Sequence, residues 1–355
     1  MVDIAVCDEW LGNRGGAENV IQQIMSVVGA QELWTAAAHP RWLQSNIIMR
    51  TGITSQSAAE YRDLFKSIDY GIGRAAQAVF VPDSASVVRS HHHFSGLFAI
   101  NAQREVVYVH AVPRLWWQPE NVPWERKLIS DRLWHIARDL DYDQAQRADV
   151  ILCNGELTRA RIAQYYDRHD AIIVTPPLNR YSLRPSVRQG YIVTVARLVE
   201  GKRLSSAITA FSRLPNKWLI VGTGRDYDRL SSMTQTMRNV RLLGDMPSTS
   251  VRRIVQHAGA VLNLGEEEFG IAVHEALLAQ TPVIVAADSE AAGFVRKMQC
   301  GYVVDHASPS EVKEAIAALA VLRVDWAAVI DYLSTYNMAR FRKQILSAIY
   351  SDGIG

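Results

Sequence analysis

The stretch that decides the fold is Gly265 to Glu275, GEEEFGIAVHE, with ALLAQTPVIVAA directly after it. The apolar run Ala260 to Leu264 ahead of it reads as a buried strand. Three carboxylates and a Phe-Gly step follow, a helix opens near Ile271, and a second apolar strand begins at Val283 beyond Gln280-Thr281-Pro282. This is a β-loop-α-β unit with its polar chemistry at the strand's carboxyl end, where open α/β sheets bind ligands. The backbone N–H groups of Gly270 and Ile271 at the helix N-terminus offer a seat for phosphate or a developing anion. Glu267 precedes the helix and Glu275 lies about two turns into it, so the two reach different parts of one elongated ligand. Glu266 and Glu268 are expected only to complement the helix dipole.

A matching basic element lies upstream in VTVARLVEGK, Val193 to Lys202. A strand over 191–196 ends in Arg197 and a short turn containing Gly201, and Lys202 is expected to open the next helix. Two cations and a helix N-terminus directed at one point suit a diphosphate, which arginine binds in a bidentate manner. Gly222-Thr223-Gly224 after KWLIV invites a nicotinamide-cofactor reading. That fingerprint needs a third glycine where Tyr227 stands, and Asp226 and Asp228 interrupt the helix that should open there. The glycines make either a tight turn that brings backbone to a nucleotide or a plain structural turn. Gly15-Gly16 is no Walker loop, because the Gly-Lys-Ser/Thr ending is absent; small residues there let a ligand approach the main chain.

Strand-like runs at 2–6, 106–110, 149–153 and 171–175 alternate with helical stretches, among them an amphipathic 121–147. Pro176-Pro177 begins a turn-rich linker over 176–189. A second series follows, with strands near 191–196, 217–221, 239–243, 259–264, 283–287 and 301–304. The end of the chain is helical, with Trp326, Ile330, Leu333, Phe341, Ile345 and Ile349 as expected core positions. His110 closes the apolar strand VVYVH and puts an imidazole at a crevice. His91 to His93 are read as a loop after a strand over 85–89 rather than a metal site. Consecutive strand residues point to alternate faces, and no Asp, Glu or Cys adjoins them.

With 355 residues, the chain is long for one domain and comfortable for two. Its 48% apolar and 21% charged residues are ordinary globular material, and a net charge of +2 is too small to imply nucleic acid. No apolar run approaches the roughly 18 residues that cross a membrane. The start, MVDIAVCDEW, lacks a basic region ahead of its strand, so no secretory signal is expected. Cys7, Cys153 and Cys300 read as reduced core thiols of a cytoplasmic protein.

The Glu267/Glu275 spacing around Phe269-Gly270, together with Arg197 and Lys202 after a strand, resembles the retaining glycosyltransferases of family 4. The resemblance extends through the Gly15-to-Glu18 loop and the run DVILCNGELTRARIAQYY into AIIVTPPLNRYSL. The segment with Tyr108, His110, Arg114 and Trp117 is similar to bacterial mannosyltransferase-like members. It implies the α/β GT-B fold: two Rossmann-like, doubly wound parallel-sheet domains facing a central cleft. The first domain is expected over 1–178 together with a returning C-terminal helix, 336–355, and the donor-binding domain over 179–335. The implied reaction is retaining transfer of a hexose, foremost mannose from GDP-mannose, to a glycan, lipid-linked or protein acceptor, with no metal or cofactor required. His110, Glu267, Arg197 and Lys202 would be catalytic. Gly15, Gly16, Gly222, Gly224, Phe269, Gly270, Ile271 and Glu275 would bind the donor, with Glu275 on the ribose. Trp10, Arg14, His91, Arg114 and Trp117 would lie on the acceptor side. A UDP-sugar donor, a non-catalytic nucleotide-binding module and, less consistent with Tyr227, a dehydrogenase are the alternatives. The protein is expected in the cytoplasm, with peripheral contact at the inner membrane face, and with no nucleic-acid partner.

Three departures from the family pattern stand out. Gly155 replaces a serine, Leu178-Asn179 replaces Val-Asp, and AADSEAAGFV lacks a Gly-x-Pro-Glu turn, which leaves Glu290 as the nearest acidic substitute.

Overall fold

The computed structural model describes residues 4–11, 15–38, 48–54, 80–91, 99–122, 126–127, 129–178 and 187–351. The chain forms two compact units, Met1–Pro177 with Met338–Gly355, and Leu178–Asn337.

The first unit is built on a parallel sheet whose described strands are β1 (Ile4–Leu11), β2 (Glu32–Ala38), β3 (Ile48–Thr54), β4 (Phe80–His91), β5 (Ala99–Val109), β6 (Val150–Cys153) and β7 (Ile172–Ile173). Their spatial order is β3-β2-β1-β4-β5-β6-β7. Its helices include α1 (Gly16–Val28), α2 (Asp131–Arg147) and α3 (Glu156–Tyr166). Helix α2 starts ten residues later than the expected 121, because Ser130 caps it: its Oγ accepts from Leu133 N at 3.4 Å. β2 and β3 are additional to the strands expected from the sequence; β2 ends in three alanines, which give no strand signal.

In the second unit the described strands are β8 (Ile192–Val195), β9 (Trp218–Val221), β10 (Val240–Gly244), β11 (Ala260–Asn263), β12 (Val283–Ala286) and β13 (Gly301–Val304). They lie parallel in the order β10-β9-β8-β11-β12-β13. Helices α4 (Leu204–Phe211), α5 (Tyr227–Thr234), α6 (Ser248–His257), α7 (Ile271–Leu278), α8 (Ala291–Met298), α9 (Pro309–Ala318) and α10 (Trp326–Ser334) flank the sheet. All six strands fall within one or two residues of the expected runs, since β11 and β12 are buried throughout and read as uninterrupted apolar stretches. Lys202 lies in a 3-10 turn, Glu200–Lys202, and α4 opens only at Leu204. Asp226 precedes α5 rather than interrupting it, and Tyr227 packs against the core. Ser308 and Glu311 cap α9 reciprocally, at 3.3 Å from Glu311 N to Ser308 Oγ and 2.9 Å from Ser308 N to Glu311 Oε2.

A side-chain chain of bonds crosses the centre of this sheet. Trp218 stacks on Phe211 (4.6 Å, 19°) and donates through Nε1 to Thr194 Oγ1 at 3.1 Å. Thr194 in turn donates to Leu262 O at 2.7 Å. β9, β8 and β11 are thereby locked together where the order of connection reverses, the place at which such sheets take ligands.

The last helix, α11 (Met338–Tyr350), belongs to the first unit. Phe341, Ile345 and Ile349 are buried in its core beside Val20, Ile24 and Tyr108. Arg104 clamps the end of α11 by donating to Ala348 O from Nε and Nη2 at 3.2 and 3.1 Å. In α10 the buried pair is Val329 and Leu333; Ile330 and Trp326 are only partly covered. Tyr336 stays with the second unit, where its carbonyl accepts from Leu178 N at 2.8 Å. Among the described residues no helix is long and apolar enough to cross a membrane.

Candidate active site

In the second unit the chemistry gathers where β8 and β11, adjacent strands at the reversal of order, both end. Arg197 follows β8; it is exposed and has no side-chain partner among the described residues. Lys202 Nζ lies 2.6 Å from Glu267 Oε1, which also accepts from Asn263 Nδ2 at 3.2 Å. Asn263 ends β11 and holds the loop open through Oδ1, which accepts from Gly265 N at 3.2 Å. Gly265 leaves room for the lysine as it stands: a Cβ there would lie 2.8 Å from Lys202 Cδ, and the flexible side chain would have to shift. Glu290 N donates to Glu267 O at 2.9 Å, so the loop after β12 braces the loop after β11. Arg203, at φ 52, completes the frame by pairing both guanidinium nitrogens with Asp288, one of them at 2.9 Å.

Gly270 stands at φ 75, a left-handed conformation favoured by glycine, and starts α7. Its carbonyl accepts from Val273 N and His274 N at 2.9 and 3.2 Å. The N–H groups of Gly270 and Ile271 have no acceptor among the described residues, which leaves them for an anion. Phe269 is buried and stacks on His274 at 4.6 Å and 13°, with Tyr336 against both rings. Phe269 therefore anchors the loop rather than touching a ligand. Burial holds His274 at about 4, below its ordinary 6.5, so the ring is neutral at pH 7, and Nδ1 donates to Gly270 O at 3.0 Å. Glu275 is partly buried one helical turn after Ile271, not the two turns expected, because the helix opens only at Ile271; desolvation pushes its carboxyl above the ordinary range while Arg252 pulls it down.

Gly222 and Gly224 have a structural explanation. Cβ atoms there would lie 1.9 Å from Ala196 O and 2.2 Å from Leu198 O, and Gly222 sits at φ 131. The loop is bonded to the same backbone, with Leu198 N donating to Thr223 O at 2.8 Å. The glycines thus press this loop against the segment that carries Arg197.

In the first unit, β4 and β5 end side by side. His110 is buried; its Nε2 is 3.0 Å from Ser90 Oγ, its N–H donates to His91 O at 2.9 Å, and its carbonyl accepts from Asn154 Nδ2 at 2.7 Å. Asn154 is itself fixed by Thr158 Oγ1 at 2.7 Å. Tyr108 packs on His110 at 4.9 Å and donates to Val174 O at 2.7 Å.

His91, expected on the acceptor side, is the last residue of β4 and lies inside, 3% exposed. Its Nε2 is 3.1 Å from both the Tyr166 hydroxyl and Asp141 Oδ1. Tyr166 spends its proton on Asp141 Oδ2 at 2.7 Å, so His91 Nε2 donates to the Tyr166 oxygen, while Asp141 Oδ1 stands close to the ring without hydrogen-bond geometry. Trp117 Nε1 reaches the same Asp141 oxygen at 2.7 Å. His91 and Trp117 thus serve a buried network around Asp141, a residue the sequence reading did not single out. Trp116 is core. Arg114 opens a one-turn helix, Arg114–Trp117, and is partly buried. Gly15 precedes α1 and donates to Glu18 Oε2 at 3.0 Å, while Gly16 is exposed. Trp10 lies on β1 opposite Ala37. Arg14, His92, His93 and residues 179–186 lie outside the described residues. Among the described residues no group of three or more His, Cys, Asp or Glu is placed to hold a metal ion, and all three cysteines are buried and free.

The architecture is the two-domain α/β GT-B fold. Three solved structures illustrate it. WaaG, a glycosyltransferase involved in lipopolysaccharide biosynthesis, is 16% identical at TM-score 0.70, over 98% of this chain and 100% of its own. The lipopolysaccharide outer core galactosyltransferase WaaB, in apo form, is 14% identical at 0.66, over 97% and 98%. HepE of Anabaena, in complex with UDP and glucose, is 15% identical at 0.71, over 97% and 98%. Residues 178–323, almost all of the second unit, match the family model described as Glycosyl transferases group 1. No curated protein sequence is matched by the chain.

Proposed function

We propose that the protein is a retaining glycosyltransferase that moves a hexose from a nucleoside diphosphate to a glycan, lipid-linked or protein acceptor. The observation that carries this reading is the meeting of Lys202, Glu267 and the α7 N-terminus at the ends of β8 and β11. Departure of the diphosphate from an oxocarbenium-like sugar concentrates negative charge on the leaving group. Lys202, Arg197 and the N–H groups of Gly270 and Ile271 supply donors for that charge, so no divalent metal is needed. Glu267, pinned by Lys202 and Asn263, orients the sugar through its hydroxyls. Glu275, already partly desolvated, accepts from the ribose hydroxyls. For His110 the support is the resemblance together with its buried, four-way-held place after β5.

The favoured donor is GDP-mannose, on the segment from Tyr108 to Trp117. A UDP-hexose is the second reading, favoured because HepE is described with UDP-glucose. We place the protein in the cytoplasm, with peripheral contact at the inner membrane face. Donor hydrolysis and transfer, followed with GDP-mannose, UDP-glucose, UDP-galactose and UDP-N-acetylglucosamine, test the assignment. Turnover with GDP-mannose alone upholds the first reading, and turnover with one UDP-sugar alone upholds the second. Inertness toward all four, with nucleotide still bound, would mean a non-catalytic module.

A further inference from the structure

A cavity of about 810 Å³ opens in the first unit among the Arg114–Trp117 turn, α2 and α3. Trp117, Trp134, Tyr142 and Tyr165 form its aromatic walls. Both indoles are fixed by their own N–H groups: Trp117 Nε1 is bound by Asp141 and Trp134 Nε1 donates to Leu115 O, each at 2.7 Å. The Arg138 guanidinium lies 4.9 Å from the Trp117 ring centroid and 5.4 Å from that of Trp134, which orients its fork in advance of any ligand. The Tyr165 hydroxyl accepts from Gln118 Nε2 at 3.1 Å, so its own proton remains to be donated. Facing these groups, Asp139, Asp143 and Gln164 also line the cavity, are exposed, and have no side-chain partner among the described residues. Asp139 and Asp143 stand four apart on α2 and so share a face.

We propose that this cavity binds a neutral hexose unit of a glycan. Its volume falls in the range of small-molecule sites. The aromatic walls left uncovered by Arg138 suit the C–H groups of a pyranose, and the two carboxylates, the amide and the phenol suit its ring of hydroxyls. Asp139 and Asp143 outweigh Arg138 in charge, which disfavours uronic acids, sugar phosphates and anionic lipid headgroups. The cavity uses none of Arg197, Lys202, Glu267 or Glu275, so its occupancy stands or falls separately from the catalytic reading.

Saturation-transfer NMR on the whole protein tests it, with methyl α-glucopyranoside, methyl α-galactopyranoside and methyl α-mannopyranoside as probes and glucuronic acid as the anionic control. At least one neutral glycoside is expected to bind and glucuronic acid is not. The double substitution Asp139→Asn with Asp143→Asn, at exposed positions, should weaken that binding by roughly tenfold or more. GDP or UDP binding should be unchanged in the same protein. Gln164→Ala gives an independent check in the same direction. Binding by none of the three glycosides, equal binding by wild type and both variants, or preference for glucuronic acid overturns the proposal. Cosedimentation with phosphatidylglycerol vesicles that depends on these residues, in place of sugar binding, overturns it in favour of a lipid surface.

Discussion

Lys202 and Glu267 are 65 residues apart in the chain and 2.6 Å apart in the fold, so each is the other's electrostatic surrounding. Their side chains are 18% and 21% exposed, and water screens the pair only in part. Removing either leaves an under-compensated charge. We therefore expect Lys202→Ala and Glu267→Ala each to cost about 2–4 kcal/mol in kcat/KM. The double variant should deviate from the sum by about 0.5–3 kcal/mol. Steady-state kinetics of the three proteins decide this, and strictly additive losses would mean that the two residues act separately. Glu275→Gln should separate stability from function. Burial raises the folded carboxyl's pKa above its ordinary 4.5, so its contribution to stability is fully present below 4.5 and is lost as pH rises through the raised folded pKa. At pH 7 the glutamine variant is thus expected to be as stable as wild type or more so in a thermal melt, yet to bind nucleotide more weakly by calorimetry. A lower Tm with intact binding would reverse the assignment.

At the scale of elements, α7 is held in place by its own aromatic stack. Between about 6.5 and about 4 the unfolded chain takes up a proton that buried His274 refuses. The unfolded state then holds more protons, so stability falls as pH drops through that window, by up to roughly 3 kcal/mol. His274→Phe retains a ring on Phe269 and removes the proton site, and its denaturant-measured loss between pH 7 and pH 4.5 should be smaller than that of wild type. An equal loss would show that other groups carry the acid sensitivity. In the β9–α5 loop, Gly222→Ala meets Ala196 O at 1.9 Å with φ 131 and should unfold the protein or lower its Tm sharply, whatever its effect on ligand. The strands of the second unit were legible because runs such as AVLN and VIVA are buried on both faces. The late start of α2 and the alanine-ended β2 were not, because a cap and a sheet-edge pairing outweigh periodicity. The polar motifs at Arg197, Lys202, Glu267 and Gly270 were readable by spacing. The ion pair between two of them, and the Asp141 network that takes up His91 and Trp117, depend on side-chain contacts across distant elements, which spacing does not encode.

For the whole molecule, both sheets run in the same order from third strand to first and then outward again, and in the second unit the candidate ligand groups stand at that reversal. On the proposed reading, the cations and the α7 N-terminus of the second unit supply the positive field for a leaving diphosphate, so turnover is expected to persist in excess EDTA. Complete loss there, restored by manganese, would require a different account of the leaving group. The central claim is that the ends of β8 and β11 bind the diphosphate of a nucleotide. Isothermal titration of GDP and of UDP into wild type, Arg197→Ala and Lys202→Ala tests it most directly. Wild type is expected to bind at least one of the two nucleotides, and both substitutions to weaken that binding by roughly tenfold or more, with melting profiles unchanged. Wild-type affinity in both variants, or binding of neither nucleotide by wild type, would contradict it.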